Sequence, residues 1–451
     1  MSAPFLWILL PIGWSILLAL LRHQKTVALV GSLFCLLLMG IALALPIDVI
    51  LSLGDLQFKI APDVTVLGRR LVLPEESRPI LVFLYGASML WYAGAASALP
   101  TRRLILLGTP VTALLVAALA IQPFLFASFF IQIAALMSIP ILMARGEKPG
   151  KGLLRFLIAQ TLAMPALLFA GWTMSGVEAN PGDIALVMRS IALLGIGLAL
   201  LLAVFPFHTW IPLLAAETHP YLAGWLLWLF PTAAQFLTLG FLERYAWLRE
   251  SSELIEMLKI VGLVMIAAPG FLALFERNLA RLLGYAVIFE TGFALLAFSL
   301  QPGKRDFFFL LLPPRVTALV LGAYALSVFW RQNPDLNLNT LRAIGKTLPF
   351  AAASVVLTIF SIASLPLLAA FPSHQVIWLE LARQSLQETG WILLGSLGLS
   401  IAGLSTLHVF FNAPVETPWQ SQETFADKVF LTLGMLLLFV QGLFPQWFAL
   451  W

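Results

Sequence analysis

The sequence predicts an all-α polytopic membrane protein with about fourteen transmembrane helices. Hydrophobic residues make up 61% of the 451 residues, charged residues make up only 11%, and the mean hydropathy is +0.96. A soluble domain of this length does not need so apolar a composition, whereas a chain surrounded by lipid does. Apolar runs continue to the C-terminal residues, so the first run is not interpreted as a signal peptide ahead of a soluble body.

The apolar runs were assigned in chain order, with about 20 apolar residues as the length that spans a bilayer. A polar connection at 52–78 is predicted to be strand-like. The predicted helices are 4–21, 27–51, 79–98, 104–121, 123–143, 153–172, 184–205, 223–245, 258–274, 279–300, 307–330, 349–368, 391–411 and 429–448.

Two of these helices are predicted to be broken by paired prolines. Pro206 and Pro212 stand six residues apart after a charge-free run, and Pro366 and Pro372 repeat that spacing. Two prolines so placed cannot both lie inside one unbroken helix, because each removes a backbone donor and clashes with the preceding turn. The alternatives are a kinked helix end that leaves the membrane and chance recurrence among 28 prolines.

Paired broken helices at corresponding positions are typical of inverted-repeat transporters, whose ion or substrate path runs between the repeats. We therefore predict two inverted five-helix repeats, at 99–247 and 255–412. An N-terminal part with three helices and the polar connection, 1–98, precedes them, and a C-terminal helix, 413–451, follows.

Four motifs resemble those of one family of antiporter-like membrane subunits. Pro-Phe-His-Thr-Trp-Ile-Pro (206–212) followed by Glu217 is similar to its P-F-H-x-W-L-P…E signature. The other three similarities are Ala-Leu-Met-Ser-Ile-Pro (135–140) to E-L-M-S-L-P, Asn-Leu-Ala-Arg-Leu-Leu-Gly-Tyr (278–285) to D-L-K-R-L-L-A-Y, and Ser-Leu-Pro-Leu-Leu-Ala-Ala-Phe-Pro-Ser-His (364–374) to G-L-P-P-L-A-G-F-F-S-K. The family comprises the proton-translocating L, M and N subunits of respiratory complex I, related membrane hydrogenase subunits and Mrp sodium/proton antiporters. The length of this chain resembles that of the M or N type.

The chain departs from the family at the residues that relay protons there. The resemblance implies a glutamate where Ala135 stands and a lysine where Leu201 stands, and no lysine occurs at 223–242. His374 replaces a lysine in the twelfth helix, and Glu290 replaces the histidine usual in the tenth. The resemblance therefore implies a divergent subunit whose lysine relay is degenerate.

The candidate ion-path residues are the remaining titratable or charged groups near the breaks and at membrane depth: His208, Glu217, Glu290, Arg315 and His374. A histidine near its unperturbed pKa suits proton exchange, although His208 could instead bond carbonyls freed by the break. Glu217 lies at a half-channel mouth or in a solvated loop. Glu290 and Arg315 are expected to pair inside the protein, because either charge alone is costly there. His374 is expected at the start of a short amphipathic segment, 375–388, which would suit an interfacial helix.

The leading functional hypothesis is a non-catalytic, antiporter-like subunit in the ion-translocating membrane arm of a larger complex. A stand-alone secondary transporter and a purely structural membrane scaffold remain alternatives. Partners would be other membrane and hydrophilic subunits in a bacterial or organellar inner membrane. We expect no cofactor in this chain, because no haem, phosphate or zinc motif is present and Cys35 is the single cysteine. The net charge of +4 indicates basic loops rather than a nucleic-acid surface.

Overall fold

The computed structural model describes residues 2–53, 56–66, 68–98, 102–143, 146, 148–180, 182–412 and 419–448. Within them, twelve helices are long and apolar enough to cross a membrane, and two shorter apolar helices, Phe5–Ala19 and Pro349–Ile362, accompany them. Each of the fourteen predicted runs corresponds to one of these helices, so the chain is a multi-pass integral membrane protein. How many of them cross the bilayer, and whether they form inverted repeats, stays a prediction.

The helices are named in chain order. They are α1 (Phe5–Ala19, π-helical at Phe5–Leu9), α2 (Gln24–Ala44), α3 (Arg78–Ala98), α4 (Arg103–Ala120), α5 (Ala127–Leu142), α6 (Lys151–Ala179), α7 (Ile184–Leu201), α8 (Trp210–Glu217), α9 (Pro220–Arg244), α10 (Ala246–Glu250), α11 (Ser252–Ala273), α12 (Leu279–Leu300), α13 (Asp306–Gln332), α14 (Ile344–Thr347), α15 (Pro349–Ile362), α16 (Ala370–Gln384), α17 (Leu386–Phe411) and α18 (Phe425–Leu443).

The predicted strand-like connection is confirmed as antiparallel β structure. Strands β1 (Ile50–Leu53) and β2 (Leu56–Lys59) form one hairpin, and β3 (Asp63–Val66) and β4 (Arg69–Val72) form a second, which β5 (Ile121–Gln122) extends. The predicted helix at 27–51 was too long by seven residues. Its helix, α2, ends at Ala44, because Leu45 precedes Pro46 and is held extended, which excludes the helical conformation.

The described residues form two compact units. One comprises Met1–Glu147 and Leu157–Leu201, and the other Lys148–Phe156 and Leu202–Leu450. One boundary between the two units lies directly after Leu201, the last residue of α7, at the first predicted break. In the second unit, 94%, 94% and 89% of the most apolar stretches of α9, α12 and α13 are buried, so these three helices form its centre.

Both predicted helix breaks are confirmed, and they share the position of the left-handed residue that follows the helix. They differ elsewhere, since Phe205–Pro206 is a cis bond in the first break and Leu367 is a further left-handed residue in the second. The helix before the break stops at Leu201 in α7 and at Ile362 in α15, earlier than the predicted ends at 205 and 368. Two residues later, Ala203 and Ser364 adopt the left-handed conformation, with φ of 55° and 68°. That conformation at the second residue past a helix is a common way to end it.

The prolines occupy equivalent positions in the two breaks. Pro206 and Pro366 lie four residues before the next helix begins, and Pro212 and Pro372 are the third residues of α8 and α16. The first turn of a helix has N–H groups without intrahelical acceptors, so a proline there removes no hydrogen bond. The segment predicted as an interfacial helix, 375–388, instead comprises most of α16, which resumes the chain after the second break, and the start of α17.

Candidate ion-translocation site

Three predicted site residues lie together in the centre of the second unit. Glu290 in α12 and Arg315 in α13 are each 2% exposed, and His374 in α16 is fully buried. A charge so placed is costly unless a partner compensates it. The prediction that Glu290 and Arg315 lie inside the protein is thus confirmed.

The His374 ring is held on three sides. Nδ1 and Ser364 Oγ are 2.5 Å apart, and Nε2 lies 3.6 Å from Glu290 Oε2. Phe293 stacks on the ring face at 3.6 Å between centroids and 4° between planes. His374 therefore has a hydroxyl at one nitrogen and a carboxylate near the other, an arrangement that orients the imidazole.

The predicted direct ion pair between Glu290 and Arg315 was wrong. Arg315 donates from Nη1 to Gln235 Oε1 at 2.7 Å and from Nη2 to Thr291 Oγ1 at 3.4 Å. Glu290 pairs with His374 and interacts with Arg315 only electrostatically. The reason is geometric: successive residues of a helix point about 100° apart, and Arg315 approaches α12 on the side of Thr291.

Several polar atoms of this cluster have no hydrogen-bond partner within the protein. They are Glu290 Oε1, Arg315 Nε, Gln235 Nε2 and His374 Nε2. Buried polar groups of native proteins are almost always satisfied, and where side chains do not serve, ordered water does. Three of these atoms are nitrogens and one is a carboxylate oxygen, so the cluster keeps polar atoms that its own side chains do not satisfy.

His208 and Glu217 lie apart from this cluster. His208 is half-buried in the first break, stacks on Phe205 at 3.7 Å and hydrogen-bonds to the backbone of Pro206. This contact favours the interpretation that it satisfies backbone groups freed by the break. Glu217, the last residue of α8, accepts the Gly152 N–H at 2.6 Å. It therefore caps the N-terminus of α6, where a carboxylate is stabilised by the helix dipole.

Sequence reasoning missed Ser364, Thr291 and Phe293, and it noted Gln235 only as sparse polar lining. One signal was present in the sequence. Ser364 stands where the family motif has glycine, and it is a non-glycine residue at positive φ. The structure places the hydroxyl of this serine against His374 Nδ1.

The first unit differs from the second in its buried charges. Ala135 is fully buried and Leu201 is 2% exposed. Within its described residues, buried polar side chains are hydroxyls and Gln160, and none is charged. The buried charged and histidine residues of the described chain all belong to the second unit: Glu290, Arg315, His374, Glu423 and Asp427. Across the described ranges, no three His, Cys, Asp or Glu side chains are grouped so that they could hold a metal ion.

Comparisons with known proteins agree with this architecture. NADH-quinone oxidoreductase subunit 14 of Thermus thermophilus is 27% identical over 321 residues, which cover 68% of this chain and 71% of that protein. A chain of the Mrp complex from a Dietzia species has a TM-score of 0.83 at 16% identity, covering 100% of this chain and 96% of that one. A chain of respiratory complex I from Thermus thermophilus has a TM-score of 0.76 at 20% identity, covering 99% and 96%.

The structural likenesses, at these identities, establish a shared fold. Family membership rests on the sequence. Residues 154–402, more than half of the chain, match the family described as NADH:quinone oxidoreductase/Mrp antiporter, TM. The matched range contains both broken helices and all members of the buried cluster. The chain therefore belongs to the NADH:quinone oxidoreductase/Mrp antiporter family.

Proposed function

We propose that the chain is an antiporter-like subunit in the ion-translocating membrane arm of a multisubunit complex of the complex I or Mrp kind. Its family, the names of its relatives and the buried charged cluster support this function. Its partners are then other membrane subunits of that complex. The redox or antiport chemistry of the whole assembly depends on those partners. The proposal places this subunit's own contribution at His374 and Glu290.

The observation that carries the proposal is the distribution of buried charge. A group that relays protons must be titratable. In a membrane protein it must also lie inside the protein, away from the lipid. The second unit offers Glu290, His374 and Arg315 in one cluster, whereas Ala135 and Leu201 offer no proton acceptor in the first. We therefore assign proton exchange to the second unit and propose that the lysine relay implied by the family resemblance does not operate in this chain.

The chemistry of the cluster follows from its contacts. With His374 neutral, the negative charge of Glu290 is offset by the positive charge of Arg315, and the cluster is neutral overall. A proton taken up by His374 would place a positive charge 3.6 Å from Glu290 Oε2. Ser364 Oγ then accepts from Nδ1–H. Arg315 keeps its charge throughout, so the mobile proton is held by His374.

Purification and reconstitution test this function together. The chain, carrying an affinity tag, is isolated from its native membrane, and its partners and proton flux in liposomes are measured. We expect membrane subunits of one complex to co-purify and the flux to require the complex. Proton flux through the isolated chain would favour the stand-alone transporter, and a complex without flux would favour the scaffold.

A further inference from the structure

A groove of about 740 Å³ lies on the surface of the second unit, between α11 and α17. Apolar side chains line most of it, from Ile260 to Phe271 on α11 and from Trp391 to Leu394 on α17. Ile260, Phe271 and Trp391 are each about half exposed. Both helices are long and apolar enough to cross a membrane, so this exposed lining lies at the level of the acyl chains. The groove therefore opens sideways into the hydrocarbon layer.

The groove ends where the two helices touch. A Cβ at Gly270 would collide with the backbone of Gly395, and a Cβ at Gly398 would collide with the backbone of Gly270. The backbones of α11 and α17 are therefore in direct contact at these glycines. The lining stops beside them, at Phe271 and Leu394, so the contact closes the groove at this end.

The length of the groove matches one leaflet of a bilayer. At a helical rise of about 1.5 Å per residue, the lining from Ile260 to Phe271 is about 16 Å long. The hydrocarbon core of a bilayer is about 30 Å thick, so one leaflet contributes about 15 Å. An acyl chain of one leaflet therefore fits the groove along its whole length. The helix contact then lies near the middle of the bilayer, and the opposite end of the groove lies at its surface.

The opposite end of the groove is polar and carries net negative charge. It is lined by Ser385, Gln387 and Glu388, at the start of α17. Lys259 Nζ lies 2.9 Å from Glu256 Oε2 and 3.2 Å from Glu388 Oε1, so two carboxylates share one ammonium group. Glu388 Oε2 is buried and has no hydrogen-bond partner within the protein. This oxygen is left to accept from a donor, and the surplus negative charge favours a cationic one.

Neutral donors stand beside this carboxylate. Ser385 Oγ accepts the Glu388 N–H, which leaves its hydroxyl proton for another acceptor. Gln387 is exposed at the same end, and Trp391 follows one turn further along α17. Tryptophan is enriched where the hydrocarbon layer meets water. The polar end therefore lies at the level of the lipid headgroups, with donors for a phosphate next to a carboxylate for an amine.

We propose that the groove binds one phospholipid with a primary amine in its headgroup, a phosphatidylethanolamine. Its ammonium group donates to Glu388 Oε2, its phosphate accepts from Ser385 or Gln387, and one acyl chain lies in the groove as far as the helix contact. An anionic headgroup would meet the surplus negative charge of Glu256 and Glu388. A choline headgroup has no N–H group to donate to Glu388. This lipid site goes beyond the proposed function and is independent of proton exchange at His374.

Native mass spectrometry of the full chain in detergent tests the choice of headgroup. The chain is stripped of lipid and offered equal amounts of phosphatidylethanolamine, phosphatidylcholine and phosphatidylglycerol with identical acyl chains. We expect phosphatidylethanolamine to be retained about tenfold or more over the other two, because neither of them makes the charged hydrogen bond to Glu388. Glu388→Gln, which keeps the shape of the side chain, should remove this preference. Glu380→Gln is the matched control, because that carboxylate pairs with Arg383 and does not line the groove.

A second variant tests the groove itself. Ala268 lines the groove and is half-buried, so Ala268→Phe fills the space for the acyl chain and leaves Glu388 in place. This variant should lose most of the phosphatidylethanolamine that the wild type retains. Equal retention of the three headgroups by the wild type, a preference that survives Glu388→Gln, or retention that Ala268→Phe leaves unchanged would each overturn the proposal. None of these measurements involves proton flux, so a failure here leaves the proposed function standing.

Discussion

Replacing Glu290 by glutamine tests the charge balance of the buried cluster. The substitution keeps the shape of the side chain and removes its charge, which leaves Arg315 buried with only the neutral partners Gln235 and Thr291 in contact. A pair of opposite charges about 4 Å apart interacts by roughly 4 kcal/mol at an effective dielectric constant of about 20. Glu290 and Arg315 are farther apart than a direct ion pair, which reduces the lost attraction to roughly 2–3 kcal/mol.

The expected result is therefore a less stable second unit. A loss of about 2–3 kcal/mol corresponds to a fall in melting temperature of roughly 4–10 °C, measured by thermal unfolding in detergent. Adding Arg315→Gln to Glu290→Gln should restore part of the loss, because the cation that lacked compensation is then absent. Glu380→Gln is the control, since its exposed ion pair with Arg383 contributes about 1 kcal/mol or less. If Glu290→Gln melted at or above the wild-type temperature, Glu290 would not be the anion that balances Arg315.

Two further predictions concern residues outside the spanning helices. Glu217→Gln should cost about 0.5–2 kcal/mol, because an amide caps α6 at Gly152 less well than a carboxylate; equal melting temperatures of variant and wild type would remove this role. Burial and the charge of Arg331 lower the pKa of His219 to about 4. The unfolded chain therefore binds the proton more tightly, and stability should fall as the pH drops from about 6.5 toward 4. His219→Gln should show a smaller fall over this range in pH-dependent thermal unfolding, and an identical pH profile would refute the assignment.

The sequence was sufficient to predict the helices and both breaks. Apolar runs mark membrane helices because every backbone group in lipid must be bonded within its own segment, and prolines such as Pro206 and Pro366 mark the points where that bonding stops. The ends of the broken helices were placed too late, at 205 and 368. The residues between each helix end and its proline are as apolar as the helix itself, so composition does not reveal the left-handed turn at Ala203 and Ser364.

The contacts of the buried cluster were predicted less well. Glu290 and Arg315 were identified because charged residues are rare in membrane helices. They were expected inside the protein because a charge that faces lipid is costly. The choice of partner depends on the rotation of α12, α13 and α16 about their axes, which a single sequence does not contain. His374 was assigned to an amphipathic surface segment because charges follow it at Glu380 and Arg383. The structure buries one face of α16, with Ser373 and His374 on it, and exposes Arg383 near the end of the helix.

The most direct measurement is proton flux by the intact complex with His374→Gln in place of the wild-type subunit. The matched control is His408→Gln, which removes an exposed histidine that bonds only to Asn412 in the described structure. We predict that flux attributable to this subunit is lost in His374→Gln and retained in His408→Gln, and that His208→Gln, outside the cluster, has a smaller effect. Undiminished flux in His374→Gln would contradict the conclusion that protons pass through the buried cluster of the second unit.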